Sequence, residues 1–210
     1  MTELAWMACP DPAPMLRYLH EKVSGRKLRL FACACARNIW PMFPRTDNGK
    51  QIVIVSERLA DGLAGEDELS EAWKQSHDPT GPNATAAHED AHAAATLTAS
   101  RAVAEVRRRT KDYRVGERLG YEQAYAQAEL VREVFGNPFR LTTADPWWLT
   151  STVVALARGI YEDRAFDRLP ILADALQDAG CEHPAVLKHC FGPGPHVRGC
   201  WVVDLLLGKS

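Results

Sequence analysis

The sharpest cluster of chemistry-bearing side chains is His88-Glu89-Asp90-Ala91-His92. Two histidines four apart, with a glutamate after the first, make an HExxH pattern. On a helix that spacing sets both imidazoles on one face, where they can share a zinc ion while the glutamate activates the bound water. The surrounding NATAAHEDAHAAATLTASRAVAEVRRRTK predicts one alanine-rich helix from Asn83 to about Lys111, which is the context the motif needs. Three features weigh against a zinc-dependent hydrolase. Asp90 puts a charge inside the motif, no sheet edge is predicted to hold a substrate, and Glu105 could serve as third ligand only if the helix folded back. The plain alternative is an exposed polar face with solvated histidines.

A second set is Cys181, Cys190, His196 and Cys200, a Cys3His combination suited to a closed structural zinc site. The predicted last helix, His196 to Leu207, places His196 and Cys200 one turn apart. The Gly192-Pro193-Gly194-Pro195 loop could fold Cys190 back toward them. The spacing matches no common zinc module, and the alternative is a group of small buried thiols. His196, Cys200 and Asp204 also suggest a Cys-His-Asp catalytic stripe. Eight residues of helix span about 12 Å, however, too far for Asp204 to orient His196. A buried Asp204 is instead expected to pair with an arginine from elsewhere in the chain. No cofactor is required by these sets, and zinc is the metal they would suit.

A basic stripe follows at Arg107, Lys111, Arg114 and Arg118, with Tyr113 and Tyr121 placed to stack on bases. Such a stripe can track phosphates. Glu105, Asp112, Glu117 and Glu122 interleave with it, the usual sign of a salt-bridged, solvated face. No GxGxxG, Walker-type loop or GxSxG occurs, so nucleotide binding and acyl transfer have no motif to stand on.

The elements that must position these residues read as helices throughout. Asp11-Pro12 is a cap followed by proline, and Met15, Leu16, Leu19 and Val23 recur at helical spacing. Leu28, Phe31, Ala32, Cys35 and Ile39 form the inner stripe of the next helix, with Arg26, Lys27, Arg29 and Arg37 off it and Pro41 and Pro44 ending it. The apparent strand Ile52–Val55 continues into Leu59 and Leu63 at a period near 3.6, so it too is a helix. Glu66, Asp67 and Glu68 fill a first turn, where the helix dipole favours acids. In GERLGYEQAYAQAELVREVFG, Leu119, Tyr121, Tyr125, Ala128 and Val131 or Phe135 are predicted to face inward. Trp147 and Trp148 should bury against a neighbour. Thr150 and Asp167 cap two further helices, and Gly180 closes the second. The expectation is an all-α bundle of eight or nine helices without a substantial sheet, one domain over 1–210. It could divide into lobes 1–78 and 83–210 around the hinge Pro79-Thr80-Gly81-Pro82.

Composition narrows the function classes. The chain has 210 residues, 46% hydrophobic and 25% charged, with a net charge of −2. That is ordinary globular composition, and it offers no global field to recruit nucleic acid or an anionic membrane. No apolar run reaches the roughly 18 residues of a membrane span. MTELAWMACPDPAPM lacks the basic and apolar regions of a signal peptide, so the six cysteines are expected to be reduced thiols. Cys33 and Cys35 point to different faces of their helix. The cytoplasm is the expected address.

Three stretches carry a family resemblance: RKLRLFACACARNIW, DRLPILADALQDAG and GPGPHVRGCWVVDLLLGK. They resemble an uncharacterised family of bacterial proteins associated with planctomycetes. The resemblance covers both ends of the chain better than residues 75–125. It implies a helical bacterial protein and brings with it no activity, cofactor, substrate or site residue.

The function these observations favour is a non-enzymatic helical module that binds or regulates another protein, with Trp147-Trp148 or the alanine-rich helix as its docking element. The alternatives are a zinc-dependent hydrolase using His88, His92 and Glu89, and nucleic-acid binding through residues 107–118.

Overall fold

A computed structural model describes residues 1–42, 49–75 and 81–210. The described residues are helical with no strand, as the periodicity predicts, and they form twelve α-helices. The excess over eight or nine comes from short pieces. A first helix, α1 (Glu3–Ala8), was not anticipated, and the predicted Asn83–Lys111 helix is two helices. Of the Pro/Gly stretch read as a hinge, Pro79 and Thr80 lie outside the described residues, as does Pro44; Pro82 opens α6. No helix among the described residues is long and apolar enough to cross a membrane.

The chain divides into two compact units, Met1–Val131 and Arg132–Ser210. The first contains α1, α2 (Pro12–Leu19), α3 (Gly25–Asn38), α4 (Gly49–Ala60), α5 (Glu66–Lys74), α6 (Pro82–Thr85), α7 (Ala91–Arg108) and most of α8 (Tyr113–Phe135). Its axis is α3, in which every residue from Leu28 to Ala36 is buried, Arg29 included. Small side chains let α3, α4 and α7 approach closely: Ala32, Cys33, Ala36, Val53, Ala86 and Ala94 make one core cluster. The alanine-rich helix therefore packs against a neighbour, the use its composition suggests. Asp11 and Ser24 cap α2 and α3 by accepting from Ala13 N–H and Lys27 N–H.

In α8 the inward face differs from expectation. Tyr121 and Tyr125 are exposed, while Gly116, Gly120, Gln123 and Gln127 are buried. The cause is the closeness of α7. A Cβ at Gly120 would collide with the Arg107 side chain, so glycine and the flexible glutamines, not tyrosine rings, line the approach. Gln127 Nε2 donates to the Ala99 carbonyl at 3.0 Å.

The second unit holds the end of α8, then α9 (Ser151–Asp163), α10 (Leu169–Asp178), α11 (Pro184–Phe191) and α12 (Trp201–Leu207). Thr150 caps α9 by accepting from Val153 N–H, and Gly180 closes α10 with φ of +83°. Val153, Ile160, Leu169, Leu172, Leu176, Val186 and Val203 are among its fully enclosed core residues. Trp148 packs on this core, but Trp147 is 82% exposed. The two tryptophans sit on a 3-10 turn, Pro146–Trp148, which points neighbouring side chains to different sides.

Candidate metal centre

The HEDAH motif does not lie on one helix. His88, Glu89 and Asp90 belong to the loop between α6 and α7, and only Ala91 and His92 are helical. The local hydrogen bonds explain the break. Asp90 is the N-cap of α7, its carboxylate accepting from Ala93 N–H. Arg29, buried in α3, donates to the carbonyls of both His88 and Glu89 at 2.9 Å. The guanidinium fixes these loop carbonyls in place, and the cap at Asp90 starts the helix only at Ala91. His88 Nδ1 accepts from Asp90 N–H, and the His92 ring packs edge-on against His20 at 4.4 Å between centroids. The i, i+4 face that would let His88 and His92 share a metal, with Glu89 beside it, is therefore not formed.

The basic stripe is also split. Arg107 lies in the last turn of α7, Lys111 in the connecting turn, and Arg114 and Arg118 in the first turns of α8. Arg107 Nε lies 3.5 Å from Glu117, and Arg118 Nε 3.7 Å from Glu122.

In the second unit, by contrast, four ligand-type side chains converge. Glu133, His189, His196 and Cys200 each present one atom, and these atoms all lie within 4.8 Å of one another; this is the group of its kind among the described residues. Two of its members, His196 and Cys200, were anticipated, and two, Glu133 and His189, were not. Cys181 and Cys190 do not join the group. They sit in the apolar core, where burial raises both thiols, Cys190 to about 12 with the charge of Glu133 adding to it.

Each member is placed by a local feature. Glu133 lies on the last turn of α8, between buried Val131 and Val134, and Gly136 ends the helix at φ +65°. His183 and Pro184 start α11, whose inward Val186 and Cys190 leave His189 beside the core edge. The predicted helix from His196 is absent: residues 192–200 are not helical, the Gly194–Pro195 peptide is cis, and α12 begins at Trp201 with Cys200 as its N-cap. At Gly194, φ is +89° and a Cβ would lie 2.7 Å from the His196 backbone nitrogen, so the chain turns there only with glycine. His196 and Cys200 are brought together by this loop, and not by one helical turn.

Glu133 is the hub. Its carboxylate is 3.2 and 3.3 Å from His196 Nδ1, 3.3 Å from His189 Nε2, and accepts from Val197 N–H at 3.3 Å. His189 Nε2 is also 3.1 Å from Cys200 Sγ. On the outer side of the rings, His196 Nε2–H donates to the Gly192 carbonyl at 3.0 Å, and the Trp201 indole N–H donates to His189 Nδ1 at 3.0 Å. Burial would lower the His196 pKa, but the hydrogen bond and charge of Glu133, helped by the Gly192 carbonyl, outweigh it and raise the net value. Burial lowers His189, and Glu133 only partly opposes it. The enclosed Cys200 thiol is pushed well up by burial first and by Glu133 second.

Chemically, a carboxylate, two imidazoles and a thiol suit a borderline transition metal such as zinc. Metal–nitrogen bonds near 2.0 Å and metal–sulfur bonds near 2.3 Å, set tetrahedrally, place ligand atoms about 3.3–3.6 Å apart. The contacts His196–Glu133 at 3.2 Å, His189–Glu133 at 3.3 Å and His189–Cys200 at 3.1 Å lie next to that range, and the four atoms together fall within 4.8 Å. The missed residues carried a faint signal. Glu133 is an acid on the stripe formed by Leu130 and Val134, and His189 precedes a cysteine the sequence marks as a ligand. Compared with family models, curated proteins and solved structures, the chain matches none.

Proposed function

We propose that this protein is a metal-holding helical module whose second unit binds one divalent transition-metal ion, with zinc the best match, at Glu133, His196 and Cys200 beside His189. The observation that supports this is the convergence of four ligand atoms within 4.8 Å from α8, α11 and the loop before α12. A carboxylate, imidazoles and a thiolate at one enclosed point favour zinc-like ions over the oxygen-seeking magnesium and calcium. The bound ion would tie the end of α8 to the last two helices and add its binding free energy to folding.

Elemental analysis of the purified full-length protein tests this. Wild type should carry about one zinc per chain, lost in Cys200→Ser and Glu133→Ala and kept in His88→Ala. Wild-type protein that stays metal-free after zinc loading and desalting would end the proposal.

A role in binding another protein has its own supporting observation. Trp147 is 82% exposed and Leu141 91% exposed on the segment between α8 and α9, and large exposed apolar side chains on one segment suit a partner surface. Sedimentation and pull-down from the native host test it. The pair Leu141→Ser and Trp147→Ser should abolish a specific complex without lowering Tm, and a persistent partner-free monomer would count against it.

A further inference from the structure

The two histidines of the cluster face it with different nitrogens in different states. A neutral imidazole carries one N–H and one lone pair, and the partner of the outer nitrogen decides which is where. At His196 the outer partner is the Gly192 carbonyl, which only accepts. The Nε2 proton therefore keeps its acceptor throughout, and the Nδ1 proton, which Glu133 accepts, is the one a metal would displace, leaving the Nδ1 lone pair as the ligand. The bond to Gly192 is the outer hydrogen bond that metal-bound histidines commonly make. At His189 the outer partner is the Trp201 indole, which only donates. The lone pair is therefore on Nδ1, and the proton is on Nε2, the atom aimed at Glu133 and Cys200. A nitrogen that carries a proton cannot coordinate a metal.

Freeing His189 Nε2 would require Trp201 to turn away. The indole is held against that. Gly136 at φ +65° lies beside it, where a Cβ would come within 3.2–3.3 Å of the ring, and Trp201 packs on the core of the second unit.

We propose that Glu133, His196 Nδ1 and Cys200 Sγ are the three protein ligands, that His189 stays outside the coordination sphere, and that the fourth position takes an exogenous monodentate anion. This rests on the metal-binding proposal above. His189 Nε2–H donates to the bound anion, supplying the one hydrogen bond its position allows. Exposure agrees with that side of entry: the side chain of His189 is 16% exposed and that of His196 10%, against 4% for Glu133. Three protein ligands and one exchangeable position are the arrangement of a reactive metal site, as opposed to a closed structural one.

Cobalt-loaded full-length protein, with azide as the probe anion, tests the assignment. Wild type should bind one equivalent of cobalt with a thiolate-to-metal charge-transfer band, and azide should shift its visible spectrum. His189→Ala should still bind one equivalent, with affinity reduced about 10-fold, the usual cost of losing an outer contact, and with weaker azide binding. His189→Gln, whose amide can replace the N–H, should recover the azide response. Glu133→Ala, His196→Ala and Cys200→Ala should bind no cobalt. Loss of cobalt in a folded His189→Ala, or a wild-type spectrum that azide leaves unmoved, would overturn the open position and leave a closed four-ligand site. The azide titration needs no variant, so it decides even if His189→Ala does not fold. Wild type that binds neither cobalt nor zinc overturns the metal site itself.

Discussion

The HEDAH segment and the Glu133 cluster make an instructive pair. The first has ligand residues at ideal spacing along the chain, and its backbone pulls them apart. The second has ligand residues scattered over α8, α11 and a proline-glycine loop, and the fold gathers them within 4.8 Å. The difference lies in what each polar group does locally. Asp90 takes the free N–H of Ala93 in the first turn of α7, and Arg29 takes the carbonyls of His88 and Glu89, so that the polar atoms of this segment go into starting a helix. Glu133 is enclosed and accepts from several N–H groups at once, so its charge organises its surroundings. A motif's spacing carries chemistry only if the intervening backbone keeps its period.

Metal analysis breaks or sharpens this contrast most strongly. A zinc ion held by the folded chain and not by the unfolded one adds its binding free energy to stability. Chelation of a zinc-loaded sample should therefore melt the second unit well below its loaded Tm, with no change in Cys200→Ser. His88→Ala, Glu89→Ala and His92→Ala should leave zinc content at the wild-type value. Zinc lost in His92→Ala would reverse the comparison.

The thiols extend it. Cys33, enclosed between α3 and α4, is pushed to about 12 by burial, with Glu57 adding to the rise and Ser56, Arg37 and Arg29 opposing it more weakly. The unfolded thiol ionises near 9, so between pH 9 and 12 the folded state holds the proton that the unfolded state loses. Stability is full below pH 9 and falls as pH rises toward 12, by as much as about 4 kcal/mol. Denaturant melts of wild type and Cys33→Ala across this window should converge as pH rises. Parallel curves would show that Cys33 ionises without unfolding the core.

Gly194→Ala addresses how the cluster is gathered. The new Cβ would press on the His196 backbone at a positive φ, a strain of about 1–3 kcal/mol. We expect Tm to fall and zinc affinity to drop together. Ala at Gly62, also at positive φ but with nothing within 4 Å, should cost stability and spare the metal.

How much of this was legible in the sequence follows the same division between local and long-range causes. The all-α class, the caps at Asp11 and Thr150, the C′ glycine at Gly180 and the helical character of Ile52–Val55 are local, and residue type with period suffices for them. The burial of Arg29, the outward Tyr121 and Tyr125, and the exposed Trp147 depend on which helix lies alongside, which no single-helix pattern contains. At the site, His196 and Cys200 were visible as a histidine and cysteine close in the chain, although the helix thought to join them is a loop. Glu133 was hidden because its partners lie more than fifty residues away. The broken helical motif and the missed cluster member share that origin.

The smallest expected effect is also the most direct on the motif. Asp90→Ala removes the N-cap of α7 and should cost about 1 kcal/mol, read as a small drop in the denaturation midpoint of the first unit. It would also leave Ala93 N–H without its acceptor while Arg29 keeps the His88 and Glu89 carbonyls. If Asp90 alone holds the segment out of helix, the variant should extend α7 backward and bring His88 and His92 onto one face, so that it gains weak zinc binding. If Arg29 is the stronger constraint, Asp90→Ala loses stability and gains no metal, and only Arg29→Met combined with it restores the helix. The two carbonyl contacts at 2.9 Å from an enclosed guanidinium favour the second outcome, since they are two charge-assisted bonds against the one that the Asp90 carboxylate makes. Zinc titration of the single and double variants, each in a Cys200→Ser background to silence the second unit, separates them.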